Sequence, residues 1–255
     1  MFKFTNNFIG YKEEQLYEIF SGPDSEELYL KNLKSKPNDW YYRNNTFDYK
    51  RNSLGHRTPK EIDELDLDNY ILTIGCSHTE GIGLPIENTY SYELSKKLKC
   101  DYYNLGLSGS GIDIMMHNLT VWFATVKKHP KLLVIQYPDV ARFSTINEAQ
   151  TAINMTAEHA MIDPWTINTP GLSKIQESFI MSGEKIQYFD SKVTFSRVLI
   201  KALTSAPLIE VHVRLPYELE HQVNFKGIDK ARDHHRGILS NLALTGTIIK
   251  TYKSM

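Results

Sequence analysis

The amino-acid sequence predicts an α/β protein, a three-layer α/β/α sandwich around a parallel sheet, and three observations carry that reading. Short apolar runs occur at Tyr70 to Gly75 (YILTIG) and Leu132 to Tyr137 (LLVIQY, closed by Pro138), and Pro207 to Val213 (PLIEVHV) reads as a further strand. Runs of that length bounded by glycine or proline suit strands buried on both faces, as in a parallel sheet. Segments with helical spacing separate them, and alternating strands and helices put helices on both faces of the sheet. The first run also opens into a glycine-rich turn, where parallel sheets present ligands.

Ahead of the first strand, residues 1–68 are polar and rich in Tyr, Asn and Lys. They are expected to form an N-terminal helical extension packed on a main domain of residues 69–255. Glu13 to Phe20 and Ser25 to Leu33 have helical spacing, the second preceded by the turn and cap signal Gly22-Pro23-Asp24-Ser25. Asn44-Asn45 and Asn52-Ser53-Leu54-Gly55 read as turns. After the strand from Tyr70 come a helix over about Thr89 to Leu98, a short strand from Tyr102 to Leu105, a glycine loop and a long helix over about Ile112 to Lys128. The strand from Leu132 follows, then expected helices at 144–162 and 191–204, the strand from Pro207, and a last helix from about Gly237.

Composition narrows the function classes. The formal net charge of the 255 residues is -1, so no overall bias toward nucleic acid or an anionic membrane is visible. The two cysteines, Cys76 and Cys100, sit in neither a CxxC nor a Cys/His spacing, so no disulfide framework, metal or other cofactor is expected. No apolar run has the length of a signal-peptide core or a membrane span. The expectation is a cytoplasmic protein, and a virion component released by lysis has the same profile. Assembly into an oligomer or a virion stays open.

Chemistry concentrates at two places. The loop Gly75-Cys76-Ser77-His78-Thr79-Glu80-Gly81-Ile82-Gly83 follows the first strand. Gly75 permits a sharp turn, Ser77 presents a hydroxyl at the sheet edge, and nearby backbone N–H groups face a developing oxyanion. Two plainer readings stand beside this: a phosphate-cradling glycine turn, and a serine that caps a helix. Neither GxGxxG nor GxxxxGK[ST] is present, which counts against a nucleotide fingerprint.

A serine nucleophile needs an oriented base. Asp229-Lys230-Ala231-Arg232-Asp233-His234-His235-Arg236-Gly237, just before the last helix, offers an Asp-His-His cluster in which an Asp can fix a histidine tautomer. A solvated polar loop is the plainer reading. His117, His129, His159, His212 and His221 read as helix-face or surface residues.

Together the two loops resemble the SGNH (GDSL-like) hydrolase family. Gly75-Cys76-Ser77-His78-Thr79 corresponds to its Gly-Asp-Ser-x-Ser block, in a form with Cys at the Asp position that is similar to bacterial and phage members. Asn52-Ser53-Leu54-Gly55-His56-Arg57 is similar to the Asn-Ser-x-Gly-aromatic-Arg stretch ahead of the nucleophile strand in such proteins. Asn104-Leu105-Gly106-Leu107-Ser108-Gly109-Ser110-Gly111 matches the second block, and Ala231-Arg232-Asp233 with His235-Arg236-Gly237 matches the last, one residue shorter between Asp and His. The third block departs: Gln136-Tyr137-Pro138-Asp139 stands where most members have Gly-x-Asn-Asp.

The resemblance covers roughly residues 50–240. It implies a flavodoxin-like fold on a five-stranded parallel sheet and Ser-His-Asp hydrolysis of an ester or acyl group. The substrate would be a small molecule or glycan ester, for instance a carbohydrate O-acetyl or lipid ester. Ser77 would be the nucleophile, His235 the base with His234 as the alternative, and Asp233 the orienting carboxylate. The N–H groups of Ser77 and Gly109 would hold the oxyanion, with the Gln136 amide a third candidate. Arg142 and His78 are candidates for substrate contact, Arg142 otherwise pairing with Asp139. The competing expectation is a catalytically weak or inactive binding or structural protein on this fold, such as a virion part that recognises glycan.

Overall fold

A computed structural model describes residues 2–138, 142–146, 152–156, 185–212 and 222–255. The chain opens with strands β1 (Phe2–Thr5) and β2 (Phe8–Tyr11), the two-residue strand β3 (Tyr17–Glu18), helix α1 (Glu26–Ser35) and strand β4 (Tyr49–Lys50). There follow β5 (Tyr70–Ile74), the one-turn helix α2 (Ser77–Glu80), α3 (Tyr90–Leu98), β6 (Asp101–Asn104) and α4 (Ile112–Val126). Then come β7 (Leu132–Gln136), β8 (Arg142–Ile146), β9 (Ala152–Thr156) and α5 (Lys185–Leu203). Strands β10 (Leu208–His212) and β11 (Gln222–Asn224) and helix α6 (Ile238–Ser254) end the series.

The main sheet has five strands in the order β11-β10-β7-β5-β6, every pairing parallel. From β5 the chain moves outward to β6, then returns to lay β7 on the other edge of β5. That reversal opens a crevice at the carboxyl ends of β5 and β7, where sheets of this kind gather ligands.

Alternation along the strands builds two cores. Tyr70, Leu72, Ile74, Leu133 and Ile135 face α4 and α5, packing on Met115, Leu119, Trp122, Phe189 and Val193. Ile71, Leu132, Val134, Ile209 and Val211 face α3 and α6, against Tyr90, Leu94, Leu244 and Ile248. The result is helix, sheet, helix. Each such side chain contributes on the order of 1.5–3 kcal/mol by leaving water, and the aromatic members also place their polar atoms: Trp122 Nε1 donates to the Tyr70 hydroxyl at 3.2 Å.

The N-terminal residues share this core, with Phe8, Leu54 and Leu65 in the same apolar cluster as the sheet. Asn118 on α4 acts as a substitute strand for β2: its Oδ1 accepts from the Ile9 N–H and its Nδ2 donates to the Ile9 carbonyl, both at 2.8 Å. Among the described residues no helix is long and apolar enough to cross a membrane.

Three local expectations fail for physical reasons. Glu13 to Phe20 is one turn of 3₁₀ helix followed by β3, because Arg51 takes the backbone acceptors: its N–H bonds the Leu16 carbonyl at 2.9 Å and its guanidinium the Gln15 carbonyl at 2.6 Å. Within 144–162, the expected helix gives way to β8 and β9, an antiparallel pair with register Ser144↔Asn154. They form a second sheet in the order β2-β1-β9-β8, and the rest of that stretch lies outside the described residues. His212, read as a surface residue, is buried at the end of β10.

Candidate active site

The turn from β5 into α2 is locked from below. A Cβ on Gly75 would lie 2.1 Å from Thr79 Oγ1 and 3.0 Å from Gln136 Cβ, so only glycine lets the chain close down on its neighbours. Cys76 caps α2, and Ser77 is its first helical residue, 3% exposed. The Ser77 hydroxyl is therefore not the helix cap. It bonds His235 Nε2 at 2.7 Å.

His235 arrives on the loop between β11 and α6. Ala231 N–H bonds the His235 carbonyl at 2.9 Å and Gly237 N–H bonds the Asp229 carbonyl at 3.0 Å, which folds the loop back on itself. The Asp229 carboxylate accepts from Leu239 and Ser240 N–H in the first turn of α6, at 3.0 and 2.8 Å. Arg232 N–H reaches the Gly83 carbonyl at 2.9 Å, tying this loop to the one that carries Ser77.

Asp233 completes the line. Its Oδ2 accepts from His235 Nδ1 at 2.5 Å and its Oδ1 from the His235 backbone N–H at 2.9 Å. With Nδ1 carrying the proton toward the carboxylate, Nε2 is left as the acceptor for the serine hydroxyl. Burial pushes the Asp233 carboxyl up, but the hydrogen bonds and charge of His235 outweigh it and hold the group below its ordinary value. His234 is exposed, stacks on His235 with centroids 4.6 Å apart, and has Nδ1 3.9 Å from Asp233. It faces solvent, whereas His235 faces the serine.

The glycine loop after β6 lies against the same turn. Leu107 N–H and Ser110 Oγ both donate to the Gly75 carbonyl, at 3.2 and 3.0 Å. Between them Gly109 takes φ +82°. Among the described residues the N–H groups of Ser77 and Gly109 have no protein acceptor.

Gln136 lies differently from an oxyanion donor. Its Oε1 accepts from Thr79 Oγ1 at 2.7 Å, and its Nε2 lies 3.8 Å from Cys76 Sγ, so the amide braces the turn from beneath. His78 borders the site, its ring edge-on to His235 with centroids 4.8 Å apart, and it accepts from Arg236 at 3.2 Å. Arg142 opens β8, but its side chain, like Asp139, His159 and His221, lies outside the described residues. The donor atoms of Asp233, His234 and His235 lie within 4.8 Å of one another. A cation held there would compete with the serine link for His235.

Several supporting residues carry no role in the sequence reading. Arg57 is fully buried and donates to the Gly81 and Leu84 carbonyls at 2.5 and 2.7 Å, bracing the far side of the Ser77 loop. Asp24 holds Arg232 through Nε at 3.0 Å and Nη2 at 2.7 Å, with Phe47 under the guanidinium. The Asn52–Arg57 stretch flagged the first of these; nothing local marks Asp24.

No protein-family model matches the chain, and no curated protein matches it in sequence. Solved structures do. A carbohydrate esterase family 2 enzyme with a carbohydrate-binding domain from Corynascus thermopiles (Myceliophthora fergusii) is similar with TM-score 0.49 and 14% identity, over 78% of this chain and 69% of that one. A member of the lipolytic G-D-S-L family from Veillonella parvula is similar with TM-score 0.45 and 10% identity, over 73% of this chain and 100% of that one. A family two carbohydrate esterase from Clostridium thermocellum, solved with cellohexaose, has TM-score 0.42 and 13% identity, over 77% and 65%.

Proposed function

We propose that the protein is a serine hydrolase of the SGNH type, cleaving an ester or other acyl bond through an acyl-enzyme. The observation that carries this reading is the unbroken line from the Ser77 hydroxyl to His235 at 2.7 Å and from His235 to Asp233 at 2.5 Å. A buried hydroxyl, imidazole and carboxylate in that order are the groups that general-base activation of a serine requires.

In this mechanism Ser77 Oγ attacks the substrate carbonyl carbon as His235 Nε2 takes its proton. Asp233 keeps the ring in place and stabilises the imidazolium that forms. The negative oxygen of the tetrahedral adduct is held by the N–H groups of Ser77 and Gly109. Collapse expels the alcohol, which leaves with the proton from His235. Water, deprotonated by the same nitrogen, then attacks the acyl-serine and frees the acid. Carbohydrate O-acetyl esters and lipid esters are the two substrate classes to assay first.

The test is labelling by a fluorophosphonate probe together with turnover of p-nitrophenyl acetate, for the native chain and for Ser77→Ala. We expect both signals in the native chain and neither in the variant, with unchanged circular dichroism. A native chain that takes no label supports the binding-protein alternative, and turnover surviving in Ser77→Ala removes the serine from the chemistry.

A further inference from the structure

Glu80 is a fully buried carboxylate that the mechanism above does not use. It lies on α2, one turn after Ser77, and all three groups on it are donors. Its Oε2 accepts from the Ser108 N–H at 2.6 Å and the Tyr11 hydroxyl at 3.0 Å. Its Oε1 accepts from Arg51 at 2.9 Å. The backbone of the glycine loop is also pressed against it, since a Cβ on Gly106 would lie 2.5 Å from the Glu80 N.

The position of Ser108 is what matters, because the next residue is Gly109. A glycine at φ +82° has no side chain to hold it, yet an oxyanion donor works only within about 2.7–3.1 Å of the developing charge. Gly109 is held by its neighbours: Ser108 N–H by Glu80 on one side, Ser110 Oγ by the Gly75 carbonyl at 3.0 Å on the other. Both anchors belong to the turn that carries the nucleophile. Arg51 and Tyr11 in turn fix the carboxylate, Arg51 stacking 3.8 Å above the Tyr11 ring.

We propose that Glu80 is a positioning residue that sets the distance between the nucleophile and the oxyanion-donating N–H of Gly109. The inference rests on the hydrolase reading and adds a residue to it. Glu80→Gln is the informative change because it keeps the shape. Its carbonyl oxygen would stay with the charged Arg51, so its amide hydrogens would meet the Ser108 N–H, a donor facing a donor. Tyr11 can turn to accept; Ser108 cannot.

The experiment compares the native chain, Glu80→Gln and Ser77→Ala, measuring kcat and KM on p-nitrophenyl acetate and the affinity of a trifluoromethyl ketone, whose hemiketal oxygen occupies the oxyanion position. For Glu80→Gln we expect kcat to fall by about tenfold or more, since loss of a whole donor costs about 10²–10³. KM should stay within roughly twofold, and the ketone should weaken by the same factor as kcat. A folded Glu80→Gln protein with native kcat and native ketone affinity, or one altered in KM alone, overturns the proposal. Turnover that persists in Ser77→Ala overturns the hydrolase reading instead, so the two failures are told apart. Should Glu80→Gln fail to fold because Arg51 keeps only the partly exposed Glu18 as counter-charge, Arg51→Met/Glu80→Met replaces the buried pair with apolar side chains, leaves the Ser108 N–H without its acceptor and is read by the same criteria.

Discussion

A Cβ at position 83 would lie 2.4 Å from Oδ1 of Asp233 and 2.7 Å from the Ala231 methyl, so Gly83 and Asp233 occupy adjoining space with no atom to spare. Gly83 also has φ +80°. Gly83→Ala therefore carries backbone strain of about 1 kcal/mol and a collision that moves the Asp233 carboxylate. We expect a lower urea midpoint and a fall in ester turnover of about tenfold or more. Gly22→Ala is the control: its φ is +59°, but its nearest neighbour is Ser108 Oγ at 3.5 Å, so it should carry the strain and keep the turnover.

The two histidines of the carboxyl-terminal loop should separate cleanly. On the proposed mechanism His235→Ala removes the base and is expected to cost about 10⁴-fold or more in kcat. His234→Ala touches an exposed ring and should change kcat by no more than about threefold. Equal losses from the two variants would contradict the geometry.

Acid should destabilise the fold in two separable stages. His56 is buried with Nε2 3.2 Å from the Ile9 carbonyl and Nδ1 3.1 Å from the Tyr103 hydroxyl, and burial pushes it down from 6.5 to about 4. The unfolded chain takes up that proton first, so the His56 contribution is whole above 6.5 and is lost as pH falls from 6.5 toward 4. On the order of 3 kcal/mol is at stake. Asp233 follows: its lowered value means its contribution is whole above the ordinary 3.8 and disappears as pH falls through the depressed value. Urea unfolding across this range should show the first loss reduced in His56→Gln and the second in Asp233→Asn, with His212 and Asp101, also shifted down, carrying part of the remainder.

Asp24 should matter to stability as much as any core residue. Asp24→Asn leaves the Arg232 guanidinium buried beside Phe47 without a full counter-charge, and breaking a buried pair from one side costs about 3–5 kcal/mol. Asp24→Asn/Arg232→Met should recover most of that loss, because a hydrophobic stem can fill the same space. Denaturant midpoints of the two variants check this.

The main sheet was legible because four of its strands announce themselves, three as strand-length runs rich in apolar residues and Tyr102 to Leu105 as a shorter one. The fifth, Gln222–Asn224, offers a single apolar residue, Val223, and periodicity cannot find a strand that short. The helix expected from Glu13 failed because a distant arginine claimed its carbonyls, an interaction with no local signature. The meeting of Ser77 with the Asp-His-His loop was readable from motif order. Roles that depend on tertiary contacts were not: Gln136 looked available for an oxyanion until its amide proved to be held by Thr79, and nothing beside Glu80 or Asp24 in the sequence points to Ser108 or Arg232.

The pairing of Asp24 with Arg232 spans 208 positions, and that separation has a consequence for biogenesis. Translation delivers the Asp24 carboxylate long before the guanidinium that shelters it, so the segment around Asp24 has no finished place to dock until Arg232 has emerged. A nascent chain arrested short of Arg232 should be open to protease and attractive to chaperones, and the Ser77–His235 contact should form only after that residue has emerged.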